Sequence, residues 1–385
     1  MATTPEALPA AAPTEDERIY VASQWKLMWW RFLRHRVAVV SAVVVTMFFL
    51  IAAFSEFLAP HDPHFTFARR AFVPPQRVHF FDGLTPTRPY VYGIVGKRNP
   101  VNLAMEFEAD KSVRLPVRFL VSGIESQEYK FLGLFSTNIH LLGVDAPDDG
   151  APMPFYILGT DRMGRDQFSR LMFATRVSML IGLVGVALTL FLGLLFGGIS
   201  GYRGGLIDVF IQRVIEFLRA VPTIPLWLAL AAAVPPDWSQ IRFFFAITII
   251  ISLLGWTRLA REVRGRFLAM REEDFVIAAR LYGTSQLRII FRHMLPSFMS
   301  HIIASTSLSI PGFILAETSL SFLGLGLRQP TLSYGVLLFE AQKLQAVAGA
   351  PWLLIPGLFV IVVVLAYNFM GDGLRDAADP YSVKR

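Results

Sequence analysis

The chain has 385 residues, of which 54% are hydrophobic and 17% charged, against roughly 25% charged residues in an average soluble domain. This composition is typical of a membrane protein. The net charge is +7, but the arginines flank hydrophobic runs, so we assign the excess to cytoplasmic membrane ends and not to nucleic-acid binding. The absence of cysteine excludes disulfides and thiolate metal sites.

The N-terminal part of the chain predicts a tail, a surface helix and a first membrane span. Residues 1–22 are Pro-rich, small and acidic, which predicts a disordered cytoplasmic tail. Aromatic and basic residues alternate at helical spacing over 23–36 and predict an amphipathic interfacial helix. The hydrophobic run at 37–58 predicts the first transmembrane helix, so that 23–58 forms one unit with its N-terminus in the cytoplasm.

Residues 59–158 contain no run long enough to cross a membrane. Short alternating segments separated by Gly, Pro and Asp predict a β-rich periplasmic insertion. His61 and His64 are close in sequence, but acidic residues at ligand spacing are sparse, so we expect no metal site there.

Residues 159–372 form the predicted transmembrane core. Together with the first helix, its hydrophobic segments predict an all-α membrane protein with six transmembrane helices. These five further segments lie at about 175–199, 207–233, 241–257, 298–322 and 351–371. An even number of spans places the tail at 373–385 in the cytoplasm, and the protein is predicted to be a multi-pass membrane protein.

Several residues inside these spans carry specific predictions. Pro222, Pro225 and Pro311 lack an N–H donor and are expected to bend their helices. Gly185, Gly193 and Gly197 share one helix face with Thr189, which favours close helix packing, with a partner chain as one candidate neighbour.

The chain has no phosphate-binding loop, no nucleophile elbow and no H-E-x-x-H motif. We therefore expect no catalytic residue, no metal and no cofactor in this chain.

The cytoplasmic segment at 258–297 has the pattern of a helix, a turn and a second helix. Ala278 and Ala279 are small enough to allow close approach of a partner, Gly283 breaks the first helix, and Pro296 ends the second. This pattern fits a helical elbow that inserts into a groove on a soluble partner. It fits an ordinary loop between two helices equally well.

The same segment, FVIAARLYGTSQLRIIFRHMLPS, resembles the EAA loop of ABC importer permeases. The matching positions are Ala278, Ala279, Gly283, Leu295 and Pro296. His293 resembles the form found in peptide-class permeases. Ile277 stands where the motif has glutamate, so any contact made by that carboxylate is absent here or supplied elsewhere.

Further segments resemble the C-type permeases of dipeptide and oligopeptide importers, and the resemblance covers about 158–380. They are LGTDRMGRDQFSRLMFATRVSM, ILAETSLSFLGLGLRQPTLSYG and YNFMGDGLRDAADP. The resemblance implies the type I ABC importer permease fold and a location in the bacterial inner membrane. It also implies a homologous B-type permease, one or two ABC ATPase subunits that bind ATP and Mg, and a periplasmic substrate-binding protein. Peptide is the expected substrate, and nickel chelates and oligosaccharides are the alternative substrates. A stand-alone secondary transporter is the alternative function.

Four charged residues are candidates for the pathway or its gate. Glu317 lies near the outer end of the fifth span, where a carboxylate is costly unless it faces water or protein, so it lines the substrate path or forms a buried hydrogen bond. For Asp161, Arg165 and Asp166 a gating role is one alternative. The favoured alternative is that Gly159, Thr160 and Asp161 cap a helix, while Arg165 and Asp166 are interfacial charges beside the cap.

Overall fold

The computed structural model describes residues 23–82, 84–98, 100, 105–122, 128–131, 135–144, 155–235, 237–343 and 349–378. The tail predicted at 1–22 lies outside the described residues.

The N-terminal helices follow the predicted order. Helix α1 (Gln24–Arg34) is amphipathic, and the apolar helix α2 (Arg36–Ala53) follows directly. His35 lies between the two helices, and its ring accepts a hydrogen bond from the Ala38 N–H at 3.1 Å, which caps α2. The predicted span at 37–58 is interrupted at Phe54, after which a single turn, α3 (Ser55–Leu58), completes it.

The remaining helices form the transmembrane core. They are α4 (Gln167–Arg203), α5 (Gly205–Ala220), α6 (Thr223–Ala232), α7 (Gln240–Met270), α8 (Asp274–Leu281), α9 (Gln286–Arg288), α10 (Leu295–Ser297), α11 (Met299–Ser307), α12 (Ile310–Phe322), α13 (Tyr334–Ala341) and α14 (Ile355–Ala378). Among the described residues, five helical segments are long and apolar enough to cross a membrane, and the bent pair α5 and α6 makes a sixth candidate.

Several helices differ from the predicted spans in their bounds or continuity. The segment at 207–233 is two helices that meet at 86° around Pro222, because proline cannot continue the hydrogen-bonded ladder of α5. Helix α7 runs to Met270, well beyond the predicted end at 257. Helix α14 runs to Ala378, so the tail predicted from 373 begins as helix, and 379–385 lie outside the described residues.

Helix α4 is the centre of the bundle, and its glycines set the packing distance to α7. A Cβ on Gly197 would lie 2.5 Å from the Ala260 carbonyl oxygen, so only glycine permits this approach. Gly193 faces Leu259 in the same way, while Gly185 faces Phe313 of α12. The predicted glycine row therefore packs against helices of its own chain.

The β-rich insertion after the first helix is confirmed. Its strands are β1 (His79–Asp82), β2 (Thr85–Arg98), β3 (Met105–Ser122), β4 (Tyr129–Phe131), β5 (Phe135–Thr137) and β6 (Ile139–Val144). Four of them form an antiparallel sheet in the order β1-β2-β3-β6, and β4 pairs with β5. Val91, Leu115 and Val144 form its small core with Phe155.

The insertion is held to the bundle by hydrogen bonds at both of its ends. The Thr160 hydroxyl accepts from the Val73 N–H at 2.8 Å and donates to the Arg70 carbonyl at 2.6 Å. The Trp352 indole N–H donates to the Thr160 carbonyl at 3.0 Å. These bonds join the segment before β1 to the segment before α4, and the latter to Trp352 just before α14.

Candidate functional site

The coupling segment, which we define as residues 274–297, begins with α8 and a glycine-dependent turn. Gly283 has φ of +68°, as the sequence predicts for a helix break. Its N–H donates to the Arg280 carbonyl at 2.9 Å, and the Thr284 N–H donates to the Ala279 carbonyl at 3.1 Å. These two bonds are the Schellman pattern that ends a helix, and they send the chain sharply away from α8.

One face of the coupling segment is packed onto the bundle. Val276 and Met294 are fully buried, and Ala279 is 8% exposed, in a cluster formed with α7, the end of α4 and the start of α11. The ring of Phe267 meets that of Phe298 edge-on, with centroids 5.6 Å apart. The prediction that both alanines are open to a partner is therefore wrong for Ala279, which faces its own bundle, whereas Ala278 is exposed.

The second half of the segment is not the simple helix that its sequence suggests. After α9 the chain forms a π-helical stretch, Ile289–Met294, that includes the half-buried His293. Proline has no N–H, and its ring clashes with the carbonyl four residues earlier, which disturbs regular α-helical bonding just before Pro296. Pro296 itself is exposed inside α10, so the second helical run ends at Ser297 and not at the proline.

The opposite face of the coupling segment exposes large apolar side chains. We call it the outer face; it consists of Ile277, Leu281, Tyr282, Leu287 and Phe291. Leu281 is 83% exposed and Tyr282 is 90% exposed. Outside the membrane, an apolar patch of this kind marks an interaction surface.

A second group of candidate residues forms a buried charge cluster at the start of α4. Arg165 donates to Asp161 at 2.7 Å and lies 3.1 Å from Glu340 of α13. Arg170 is fully buried, bonds to Asp161 and reaches Glu340 at 2.7 Å. Two guanidinium groups thus face two carboxylates, and the cluster is neutral as a whole. It joins the start of α4 to α13 across the bundle.

Helix α4 is capped by Asp166 and not by the three residues that the sequence favoured. The Asp166 carboxylate accepts from the Ser169 N–H at 2.8 Å and from its hydroxyl at 2.6 Å. Burial raises the pKa of the Asp166 carboxyl above its ordinary value, although nearby His61 and the bonds from Ser169 oppose the shift. Asp161 instead accepts from the N–H groups of Met163 and Arg165 and closes the turn before the helix.

Glu317 is fully buried near the end of α12. It accepts hydrogen bonds from the hydroxyls of Ser333 at 2.6 Å, Ser321 at 2.7 Å and Ser178 at 3.4 Å. Of its two predicted roles, these contacts favour the buried hydrogen bond.

Sequence reasoning missed several partners of these residues. Glu340 and Arg170 complete the charge cluster, and Arg176 pairs with Glu56 across α4 and α3. A charged residue inside an apolar run was the available signal, since Glu340 interrupts the stretch VLLFEA. Among the described residues, no group of three or more His, Cys, Asp or Glu is placed to hold a metal ion.

Comparison with known proteins decides the family. Residues 193–381 match the binding-protein-dependent transport system inner membrane component family, and residues 23–75 match the N-terminal TM domain of oligopeptide transport permease C. The oligopeptide transport system permease protein OppC of Bacillus subtilis is 35% identical over 242 residues, 63% of this chain and 75% of that protein. This chain belongs to the ABC importer permease family, in its C-type peptide branch. Members are non-catalytic, multi-pass proteins of the inner membrane.

At least one relative aligns with this chain across most of the insertion. The dipeptide transport system permease protein DppC of Lactococcus lactis is 28% identical over 356 residues, 91% of this chain and 89% of that protein. Because only 9% of this chain stays uncovered, the alignment runs across most of residues 59–158, which the sequence motifs alone had left outside the resemblance. A chain of the MetNI methionine ABC transporter, in an inward facing conformation, matches with a TM-score of 0.44 and 15% identity over 54% of this chain and 96% of that one.

Proposed function

We propose that this chain is the C-type permease of an ATP-driven importer that takes up peptides. It pairs with a homologous B-type permease, and one or two kinds of ABC ATPase subunit bind the ATP and Mg²⁺. A periplasmic binding protein delivers the substrate. Family membership supports each partner, and the names of the relatives support peptide as the substrate.

The outer face of the coupling segment is the observation that carries this proposal. Leu281 and Tyr282 expose most of their apolar surface, and burying such surface contributes about 25 cal/mol per Å². A groove on an ATPase subunit is the partner that removes these side chains from water. The exposed Ala278 beside them leaves room for close approach.

The inner face explains how docking is converted into movement. Val276, Ile289 and Met294 pack tightly onto α7 and the end of α4, so the segment cannot shift alone. Displacement of the docked segment by ATP-driven closure of the ATPases is then transmitted to the two long helices of the core. That motion opens the pathway to one side of the membrane and closes it to the other.

The proposed orientation follows from the arginines. Both termini and the coupling segment are cytoplasmic, because Arg203, the arginines at 258–271 and Arg375 cluster on that side. The insertion is then periplasmic. A tag near Gln286 should be inaccessible to a reagent that cannot cross the membrane, and labelling of that tag from outside would contradict this orientation.

The test of docking is Leu281→Asp, measured by co-purification of the ATPase subunits and by substrate-stimulated ATP hydrolysis. We expect both to be lost, because the substitution places a charge in a buried apolar contact. Leu84→Asp is the matched control, since Leu84 is 99% exposed on the insertion and far along the chain from the segment. Normal ATPase association in Leu281→Asp would overturn the proposed docking surface.

A further inference from the structure

The first transmembrane helix exposes an apolar stripe. After Arg36, α2 contains no charged residue. Val43, Met47 and Leu50 recur at helical spacing and are all exposed, so they form one stripe along the helix. Such a stripe is suited to direct contact with lipid, since it places no polar side chain in the hydrocarbon. Phe54 continues the stripe at the C-terminal end of the span.

A charged pair marks the level at which this span leaves the hydrocarbon. The Arg176 guanidinium donates to the carbonyls of Ala52 at 2.6 Å and Ala53 at 3.0 Å, and it pairs with Glu56. Both charged side chains are partly exposed, and charged groups near the end of a span extend to the lipid headgroups. The turn from Ala52 to Glu56 therefore lies at the boundary between hydrocarbon and water.

The paired strands β4 and β5 of the insertion lie against this turn. The ring of Phe131 in β4 contacts those of Phe54 and Phe57, with centroids 5.6 and 6.1 Å apart. In the same strand, the Tyr129 hydroxyl donates to the Ile139 carbonyl at 2.5 Å, which ties β4 to β6. The β4–β5 pair is thereby held at the level of the membrane boundary.

Phe135 in β5 presents its ring on the side of the pair that meets the first span. Phe131 and Phe135 are directly opposed in the antiparallel ladder, and opposed residues point to the same side of a sheet. The span partly covers Phe131, whereas Phe135 is 70% exposed. Ser136, the next residue of β5, is also exposed and points to the opposite side. One side of the pair thus extends the apolar stripe of α2 beyond the span.

We infer that the β4–β5 pair rests on the lipid bilayer beside the first span, with the Phe135 ring inserted among the lipid headgroups. The continuity of its aromatic side with the exposed stripe of α2 carries this inference, because lipid that contacts the stripe also reaches Phe135. Only side chains enter the lipid, since a two-stranded pair has unpaired backbone groups at its edges that lipid tails cannot satisfy. Amphipathic helices at a membrane surface bury their apolar face by about 5–10 Å, and we expect a similar depth here.

The test compares the two sides of the pair with a fluorescent label on a single introduced cysteine, since the chain has no cysteine of its own. Phe135→Cys and Ser136→Cys are labelled in the full-length permease in nanodiscs, with any co-purifying subunits in cysteine-free form. We expect nitroxide-bearing lipids to quench the label at 135 and aqueous iodide to quench only the label at 136. Met47→Cys is the lipid-exposed control, and Leu84→Cys, 99% exposed elsewhere on the insertion, is the water-exposed control.

Three outcomes would overturn the inference. Iodide quenching at 135 equal to that of Leu84→Cys would place the aromatic side in water. Protection of 135 from both quenchers would show that a protein partner covers it, and equal lipid quenching at 135 and 136 would show that the pair is immersed and not resting on the surface. Because both native side chains are exposed, neither substitution should lower the unfolding temperature, which is measured for each labelled variant.

Discussion

The charge cluster buries charged side chains, whereas the outer face of the coupling segment exposes apolar side chains. The cluster buries four charged groups, Asp161, Arg165, Arg170 and Glu340, and pairs each of them within the chain. The outer face leaves large apolar groups exposed at the surface of the chain, although apolar groups are the ones that folding normally buries. Under the proposed function, this difference separates residues that stabilise the fold of this chain from residues that dock onto an ATPase subunit. Loss of a cluster residue should therefore reduce stability, and loss of an outer-face residue should reduce assembly.

The largest expected effect is that of Arg170→Met in the charge cluster. Removal of this fully buried guanidinium leaves Glu340 and Asp161 with one cation between them, and breaking a buried pair typically costs about 3–5 kcal/mol. The measurement is the thermal unfolding of the purified permease.

The double variant Arg170→Met with Glu340→Met is the matched control. It leaves Arg165 and Asp161 as one neutral pair, so we expect it to recover much of the lost stability. Wild-type stability in the single variant would show that the cluster does not hold α13 to α4.

A second pair of variants compares the two faces of α8. Ala279→Arg forces a long side chain into the packed inner face and should lower the free energy of unfolding by about 1–3 kcal/mol. Ala278→Arg points outward and should leave stability unchanged but weaken ATPase association. Stability is read from thermal unfolding and association from co-purification. The reverse pattern would mean that the two faces are assigned wrongly.

The turn at Gly283 should respond to backbone conformation more than to size. No atom lies within 4 Å of an added Cβ, but φ of +68° costs other residues roughly 1–2 kcal/mol. Gly283→Asn should be nearly neutral, because asparagine tolerates this conformation, whereas Gly283→Val should reduce stimulated ATP hydrolysis. Equal activity of the valine and asparagine variants would remove the turn from the coupling mechanism.

The smallest expected effect is that of Ile277→Glu, which restores the glutamate of the family motif. Ile277 is 40% exposed at the rim of the outer face, so the change in unfolding free energy should stay within about 0.5 kcal/mol. Substrate-stimulated ATP hydrolysis should persist. Its loss would show that the isoleucine side chain itself is needed in the contact.

Local features of the chain could be predicted from the sequence because local physics decides them. Hydrophobic runs of about 20 residues define the spans whatever their neighbours, and the β-rich character of the insertion follows from its alternating segments. Pro222 breaks a helix, and Gly283 takes a left-handed turn, because each residue carries that constraint itself. The motif around Ala278 and Gly283, together with the three further segments that resemble the family, also sufficed to predict the family.

What depends on contacts between distant parts of the chain was decided only by the tertiary structure. Ala278 and Ala279 are identical residues, and only the packing of α8 on α7 buries the second. Glu340 is 170 residues from Arg170, so no local pattern pairs them. The sequence alone allowed Glu317 to face either water or protein. In the structure its carboxylate accepts hydrogen bonds from three serines at separate positions of the chain, so it faces protein. The 86° angle between α5 and α6 likewise depends on how these helices pack on α7.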